Sequence, residues 1–397
     1  MSNIKCNSTH VVLIVCMNFV LFTVGTKAAS LPPDPNNAAL LYYQAMLRCP
    51  EPNLPTFLLL ENVMRGADPN ERIRNYMNSL YTKATIELIQ SATKLHHCDW
   101  GTLYSRGNGA YHAIMSSLQR LSLLMDIRAR ILCADGQYRS AFEHCLGIRR
   151  MARHIGDDTY FQFQISLSVN GQALRCIQYI LGCMPPDAKT ITWLKEQLAI
   201  VKGPPYQLER TLKLHRDLDL QYLRIHPDTL AWQLKKDYPE AIEDESIRER
   251  LFAHASESYD NFLESSFQII RSDISHRQKC SELDKLTTRF QERADAGNRV
   301  LRAEVIILGE AIPYMKCSFR YMIWDATRFN ALMAALEIYL AKIKTGRLPE
   351  RLPDELPRHP YSDKDFRYEI TKDGFTLRYD IEYNPSNLNR PFSFQVQ

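Results

Sequence analysis

The sequence predicts a mostly α fold of stacked antiparallel helical hairpins, solenoid-like, ending in a small C-terminal β-hairpin appendage. Three observations carry that expectation. Apolar residues between Ala38 and Lys344 recur at three- and four-residue steps. Glycine is scarce, at 15 of 397 residues, too few for an all-β chain that needs a turn roughly every ten residues. From Leu348 onward the pattern changes to dense proline and two alternating runs. Hydrophobic residues at 45% and charged residues at 24% are the ordinary globular balance, which excludes disorder throughout the chain. A formal charge of +4, from 49 basic and 45 acidic residues, leaves no electrostatic footprint for a nucleic-acid partner.

The first element is a leader. Met1 to His10 holds one basic residue, Lys5, and no acid; Val11 to Val24 is almost wholly apolar; Gly25-Thr26-Lys27-Ala28-Ala29 follows. This order of charged, apolar and small residues is that of a secretory signal over residues 1–28, with cleavage near Ala28. The apolar run is shorter than the ~20 residues that span a bilayer, so a membrane is expected to be touched only through an uncleaved leader. The mature protein is expected to be extracytoplasmic, periplasmic or secreted, with a helical body over residues 29–345 and a tail over 346–397.

Asn36 or Asn37 can cap a helix through Leu47, which ends before Pro50. A second helix is predicted over about 70–97, with Ile73, Met77, Leu80, Ala84, Ile86, Leu88 and Ile89 on its apolar side. A long helix over about 110–134 is broken by Asp135-Gly136-Gln137. Further helices follow over 159–181, 187–200 and 206–223, separated by Met184-Pro185-Pro186 and Gly203-Pro204-Pro205. The acidic stretch Glu240–Glu245 reads as a solvated helix start, leading to a long helix through Arg271. Helices over 281–308 and 311–344 close the body, the last ended by Gly346 as a C-cap. Phe366–Ile370 and Phe375–Tyr379 alternate as strands around Thr371-Lys372-Asp373-Gly374, a hairpin signal.

Eight cysteines remain after the leader: Cys49, Cys98, Cys133, Cys145, Cys176, Cys183, Cys280 and Cys317. A chain of this size buries an adequate core without a disulfide scaffold. There is no Cys-x-x-Cys pair, so neither a zinc ribbon nor a redox dithiol is indicated. Cys49 and Cys98 each close a predicted helix, which makes them the candidate disulfide.

The motifs of common catalytic machineries are missing: no Gly-x-Ser-x-Gly elbow, Walker loop, His-Glu-x-x-His or dinucleotide fingerprint occurs, and no cofactor or metal is implied. His96-His97-Cys98-Asp99-Trp100 is the densest cluster of reactive types. His97 and Asp99 are the catalytic candidates there, with Glu304 and Glu310, which flank an apolar run, as carboxylates from a later helix. Trp100 and Tyr138 are the candidate binding residues.

Ala129, Leu132, Gly136, Tyr138, Ala141, Cys145 and Ile148 have the spacing of a tetratricopeptide helix–turn–helix, and this one hairpin resembles that repeat. Other segments carry a second resemblance: Leu41-Tyr42-Tyr43-Gln44-Ala45, Cys98-Asp99-Trp100-Gly101, Ala134–Ala141, and the tail from Ala335 through Leu352 into His359–Tyr368. They look like uncharacterised exported helical proteins of planctomycete-type bacteria, and the tail is also similar to the end of type II secretion pseudopilins. Leu348, His359 and Asp363 replace the tyrosine, aspartate and glycine of the tail motif, so a pseudopilin calcium site is not carried over. The resemblance implies export and a helical body, and assigns no activity.

The expected function is therefore an exported helical scaffold that binds a protein or peptide partner in the cell envelope, since concave helical arrays offer large surfaces without any reactive group. Two rivals stand beside it. One is an exported hydrolase or metal-dependent enzyme with its site near His97 and Asp99. The other is a secretion-apparatus accessory protein, by analogy of the tail.

Overall fold

The computed structural model describes residues 36–397 apart from 107–111, 157–158, 202, 205–206, 235–237, 296–301, 304–306, 308–310, 354–355, 361–363, 379–391 and 397. The leader, Glu304 and Glu310 therefore lie outside the described residues. Residues from Asn37 onward form one compact unit.

The unit is mostly helical, and local sequence chemistry sets most of its helix starts. Helix α1 (Ala38–Arg48) begins at Asn37, whose side chain accepts from the Ala39 N–H. Helix α2 (Leu54–Met64) is capped by Asn53 and carries proline in its first turn, where a missing N–H costs nothing. The single helix expected over 70–97 is instead two, α3 (Glu71–Asn78) and α4 (Leu80–Ala92). Ser79 is extended between them (φ −60°, ψ 150°), and its side chain caps α4 at Thr82 N. Apolar periodicity cannot reveal such a break, because Met77 and Ile86 face the core on both sides of it.

Helices α5 (His112–Ala134), α6 (Tyr138–Ile155) and α7 (Tyr160–Cys183) run up, down and up, and each packs on the other two. Gly136 makes the first turn with φ +72°, a conformation that glycine adopts without a Cβ penalty. Buried Ala129 and Ala141 flank that turn. Thr159 and Gln162 close a capping box at the start of α7. Then follow α8 (Ala188–Ile200), α9 (Leu208–Ile225), α10 (Pro227–Leu234), α11 (Glu240–Glu243), α12 (Glu245–Arg271) and α13 (His276–Asp295). The acidic run is split: Asp244 ends α11 and caps α12. The last helix, α14 (Ala311–Thr345), runs back across the body and packs on α7, α8, α9 and α13.

Strands β1 (Arg367–Thr371) and β2 (Gly374–Arg378) form the expected hairpin, with Tyr368 opposite Leu377 and Ile370 opposite Phe375. A third strand, β3 (Phe392–Gln395), adds antiparallel to β2 and places Phe394 opposite Phe375. Strand β3 seats the sheet on the helices. Gln178 of α7 donates to Ser393 O at 2.6 Å, and the Tyr339 hydroxyl of α14 donates to Gln395 O. Phe375, Leu377, Phe392 and Phe394 share one apolar cluster with α5–α8 and the C-terminal half of α14.

Two other clusters complete the core. One joins α1–α4 to most of α5 and the C-terminal half of α6; the other joins α9, α12 and α13 to the first half of α14. Helix α7 contributes to all three: Tyr160 and Phe163 to one, Val169 and Ala173 to the second, Leu174 and Ile177 to the third. It is the spine of the unit. Phe163, Val169, Leu174 and Ile177, taken wholly from water, each stabilise by about 1.5–3 kcal/mol.

Candidate functional site

The cluster singled out in the sequence is a staple. Helix α4 stops at Ala92, so His96 to Trp100 lies in the chain that returns to α1. Asn37 brackets this chain as a second strand would: its Nδ2 donates to Asp99 O at 2.9 Å, and its Oδ1 accepts from Asp99 N at 2.9 Å. Ala38 N donates to His97 O at 2.9 Å. The Asp99 carboxylate accepts from Gly101 N at 2.9 Å, a local turn, and the His97 side chain is exposed.

Trp100 points inward. Its ring stacks on Tyr42 with centroids 5.5 Å apart, and its Nε1–H donates to His154 O at 2.7 Å. The Tyr43 hydroxyl donates to Trp100 O at 2.8 Å. His154 Nε2 lies 2.9 Å from Leu95 O, an acceptor, so Nε2 carries the proton and Nδ1 accepts from the Tyr42 hydroxyl at 3.0 Å. Burial lowers the His154 pKa to about 4, against the opposing effect of the Leu95 carbonyl, and keeps the ring neutral. Burial, with Asp99 beside it, pushes the Cys98 thiol up to about 12, so the metal-binding thiolate is not its form near neutral pH. Among the described residues no three His, Cys, Asp or Glu side chains group as a metal site. His97 and Asp99 line none of the cavities described below.

The candidate disulfide is corrected by the same geometry. Cys49 follows the last residue of α1, whereas Cys98 lies beside Ala39 at its first turn. A helix of 11 residues separates its ends by about 16 Å, against the ~7 Å between Cα atoms that a bridge tolerates. Tyr138, the other binding candidate, starts α6, and its hydroxyl donates to Cys183 O at 3.5 Å. It packs against the cluster that contains the sheet.

A polar layer was not legible in the sequence. It lies around the middle turn of α7, where the three apolar clusters meet. Arg149 of α6 donates to Val201 O at 2.7 Å and to Asn170 Oδ1 at 2.9 Å; Asn170 Nδ2 lies 2.9 and 2.8 Å from the two oxygens of Asp325. Arg328 donates to Gly171 O at 3.2 Å and lies 3.8 Å over the Trp324 ring. A Cβ on Gly171 would come within 2.7 Å of that guanidinium, so a larger residue there requires the end of the Arg328 side chain to shift. On the other side Gln172 donates to Asp126 at 3.2 Å and accepts from Ser122 at 2.9 Å. The layer opens onto a cavity of about 280 Å³ lined by Gln164, Ser168, Arg175, Tyr321, Trp324 and Asp325.

A larger recess than this cavity lies elsewhere, on α9. It is an open groove of about 890 Å³ walled by α9, the end of α12 and the first half of α14, with Tyr104 at one edge. Leu208, Leu214, Phe267, Ile270, Phe319 and Met322 make an apolar floor. Arg210, Lys213, Asp217 and Arg271 are exposed along its rim. Glu209 ties the walls together: it pairs with Lys213 of its own helix at 3.0 Å and with Arg271 of α12. Pairs so exposed contribute little to stability; among the described lining residues Arg210, Lys213 and Arg271 outnumber Glu209 and Asp217. Such a surface takes up apolar side chains and favours an acidic neighbour. The repeating leucines of α9 among charges are a partial signal for it in the sequence; that three distant helices form one recess is a property of the packing.

No protein-family model matches the chain, and no curated protein or solved structure matches it either.

Proposed function

We propose that this protein is an exported helical scaffold that binds a short apolar peptide segment of an envelope protein in the groove on α9. The segment carries an acidic residue beside its apolar anchors. One observation carries the reading: the groove of about 890 Å³ combines an apolar floor from three helices with a rim on which cations are in excess. A helix or extended strand laid there places anchors at alternate or one-turn spacing onto Leu214, Ile270 and Met322, the mode by which helix-in-groove and strand-in-groove recognition works. An acidic side chain of the segment meets Lys213 and Arg271. Export rests on the leader over residues 1–28.

The test is binding of fluorescent apolar peptides, with and without a flanking glutamate, followed by anisotropy. Peptides with glutamate bind more tightly, and the preference weakens as salt is raised. Ile270→Asp removes binding, and Lys213→Glu reverses the charge preference while the helical content of both variants stays unchanged. Equal binding to both variants would remove the groove from the account.

A further inference from the structure

The cavity of about 280 Å³ is a cleft along the seam between α7 and α14. The two helices run side by side in the same direction. Asn170 meets Asp325, Gly171 meets Arg328, and near the far ends Gly182 and Tyr339 both meet Gln395. On α7 the cleft follows one stripe from Gln164 to Arg175, and the small residues Ser168 and Gly171 in its middle supply the room. Leu167, Tyr321 and Trp324 are its apolar walls. Ser168, Arg175 and Tyr321 are exposed, so the cleft opens to solvent past them.

Among the described lining residues Asp325 is the acid and Arg175 the base. Asp325 is 4% exposed, and Asn170 Nδ2 lies 2.9 and 2.8 Å from its two oxygens. A carboxylate offers about four acceptor sites, of which Asn170 takes two. Arg175 leans back along its helix, so that its Nη1 lies 3.6 Å from the point where a Cβ on Gly171 would stand. Arg328 Nη1 lies 2.7 Å from the same point, so two guanidinium groups converge there. The acid and the base are thus held at adjacent residues of α7, Asn170 and Gly171, yet Arg175 forms no ion pair among the described residues. Opposite charges that share a cleft without meeting are matched by a ligand that carries both. The ammonium and carboxylate of an α-amino acid do so, each reaching its partner through a charge-assisted hydrogen bond of about 2.8 Å. An anion with no cationic group would face the Asp325 charge, and a simple amine would face the two guanidinium groups.

We propose that this cleft binds a free aromatic α-amino acid. Its ammonium lies on Asp325, its carboxylate on Arg175, and its ring against Leu167, Tyr321 and Trp324. The site shares no lining residue with the groove on α9.

Isothermal titration calorimetry on the full chain tests this with L-phenylalanine as the probe. The analogues are 3-phenylpropionate, which lacks the ammonium, and phenethylamine, which lacks the carboxylate. L-phenylalanine is expected to saturate one site with a Kd below about 1 mM. Each analogue is expected to bind more weakly by at least about tenfold, because one buried or converging charge loses its partner. Arg175→Ala, at an exposed position, is expected to weaken L-phenylalanine by at least about tenfold and to erase its advantage over phenethylamine. Ser168→Phe, also at an exposed position, fills the cleft and is expected to abolish binding, with helical content by circular dichroism unchanged in both variants. Failure of L-phenylalanine to saturate below about 1 mM would overturn the proposal. So would an analogue within about tenfold of it, or undiminished binding to Arg175→Ala.

Discussion

Asp126 and Arg130, one turn apart on α5, form an ion pair with Nε and Oδ1 2.7 Å apart and side chains 1% and 6% exposed. Arg130 also donates to Val63 O at 3.2 Å, which ties α2 to α5. A buried pair of this kind is retained because breaking it is costly, even where a hydrophobic pair would serve as well. Arg130→Met leaves the Asp126 carboxylate with Gln172 as its donor and is expected to destabilise by about 3–5 kcal/mol in urea unfolding. Asp126→Leu combined with Arg130→Met is expected to recover most of that loss. A double variant as unstable as the sum of the single ones would show that the pair is not a unit.

Acid sensitivity follows from three buried histidines. Burial lowers His144, His154 and His215 to about 4, with Arg128 assisting at His144 and with burial outweighing the Asp219 carboxylate 3.5 Å from His215. Unfolded histidine titrates near ~6.5. Below that pH the unfolded chain takes up protons that the folded chain refuses, so stability is full above the unfolded pKa and falls as pH drops from about 6.5 to about 4. Each ring contributes at most about 3 kcal/mol to that fall. Urea midpoints measured across this window should decline steadily, and His144→Gln with His215→Gln should flatten the slope. A flat profile in the unmodified protein would contradict the burial of these rings.

The third strand depends on one glycine. Gly374 pairs with Gln395, has φ +153°, and a Cβ there would lie 2.0 Å from Phe394 O. Gly374→Ala is therefore expected to separate β3 from β2 and cost about 2–4 kcal/mol. Faster amide exchange at Phe394 and Gln395, with α5 and α6 protected as before, would be the signature. Unchanged exchange there would contradict the pairing.

The staple at the start of the body separates two readings of its residues. His97→Ala removes an exposed side chain and Asp99→Asn an exposed charge, and both are expected to shift stability by less than about 0.5–1 kcal/mol. Trp100→Ala removes the Tyr42 stack and the His154 hydrogen bond and is expected to cost about 3–5 kcal/mol. Thermal denaturation of the three variants checks the order. Loss of a measurable hydrolytic activity in His97→Ala alone would restore the enzyme reading.

What the sequence made legible was local. Helix periodicity, one of the two asparagines at 36–37 as a cap, Gly136 and Gly346 as helix ends and the Asp373-Gly374 turn depend on neighbours in the chain, and the structure places them as read, with Asn37 as the cap. Ser79 was missed because a break between two helices that share one apolar face leaves their periodicity almost intact. Strand β3 was missed because Phe392, Phe394 and Val396 alternate over too short a run to stand out. The groove and the polar layer at Asn170 and Asp325 depend on which distant helices pack together, and spacing along the chain carries no trace of that. His97, Asp99 and Trp100 drew notice by residue type. Trp100 and the backbone of the other two hold the fold instead.

Groove occupancy can be read directly in cells that produce the protein. A photoreactive benzoyl-phenylalanine replaces Met322 on the floor, or Lys189 on α8 as a control position, and crosslinked peptides are identified by mass spectrometry after irradiation. The account predicts that position 322 captures one recurrent apolar segment with an adjacent acidic residue, that position 189 does not, and that Ile270→Asp abolishes the capture. Crosslinks of the same identity and yield from both positions, or capture that survives Ile270→Asp, would contradict it.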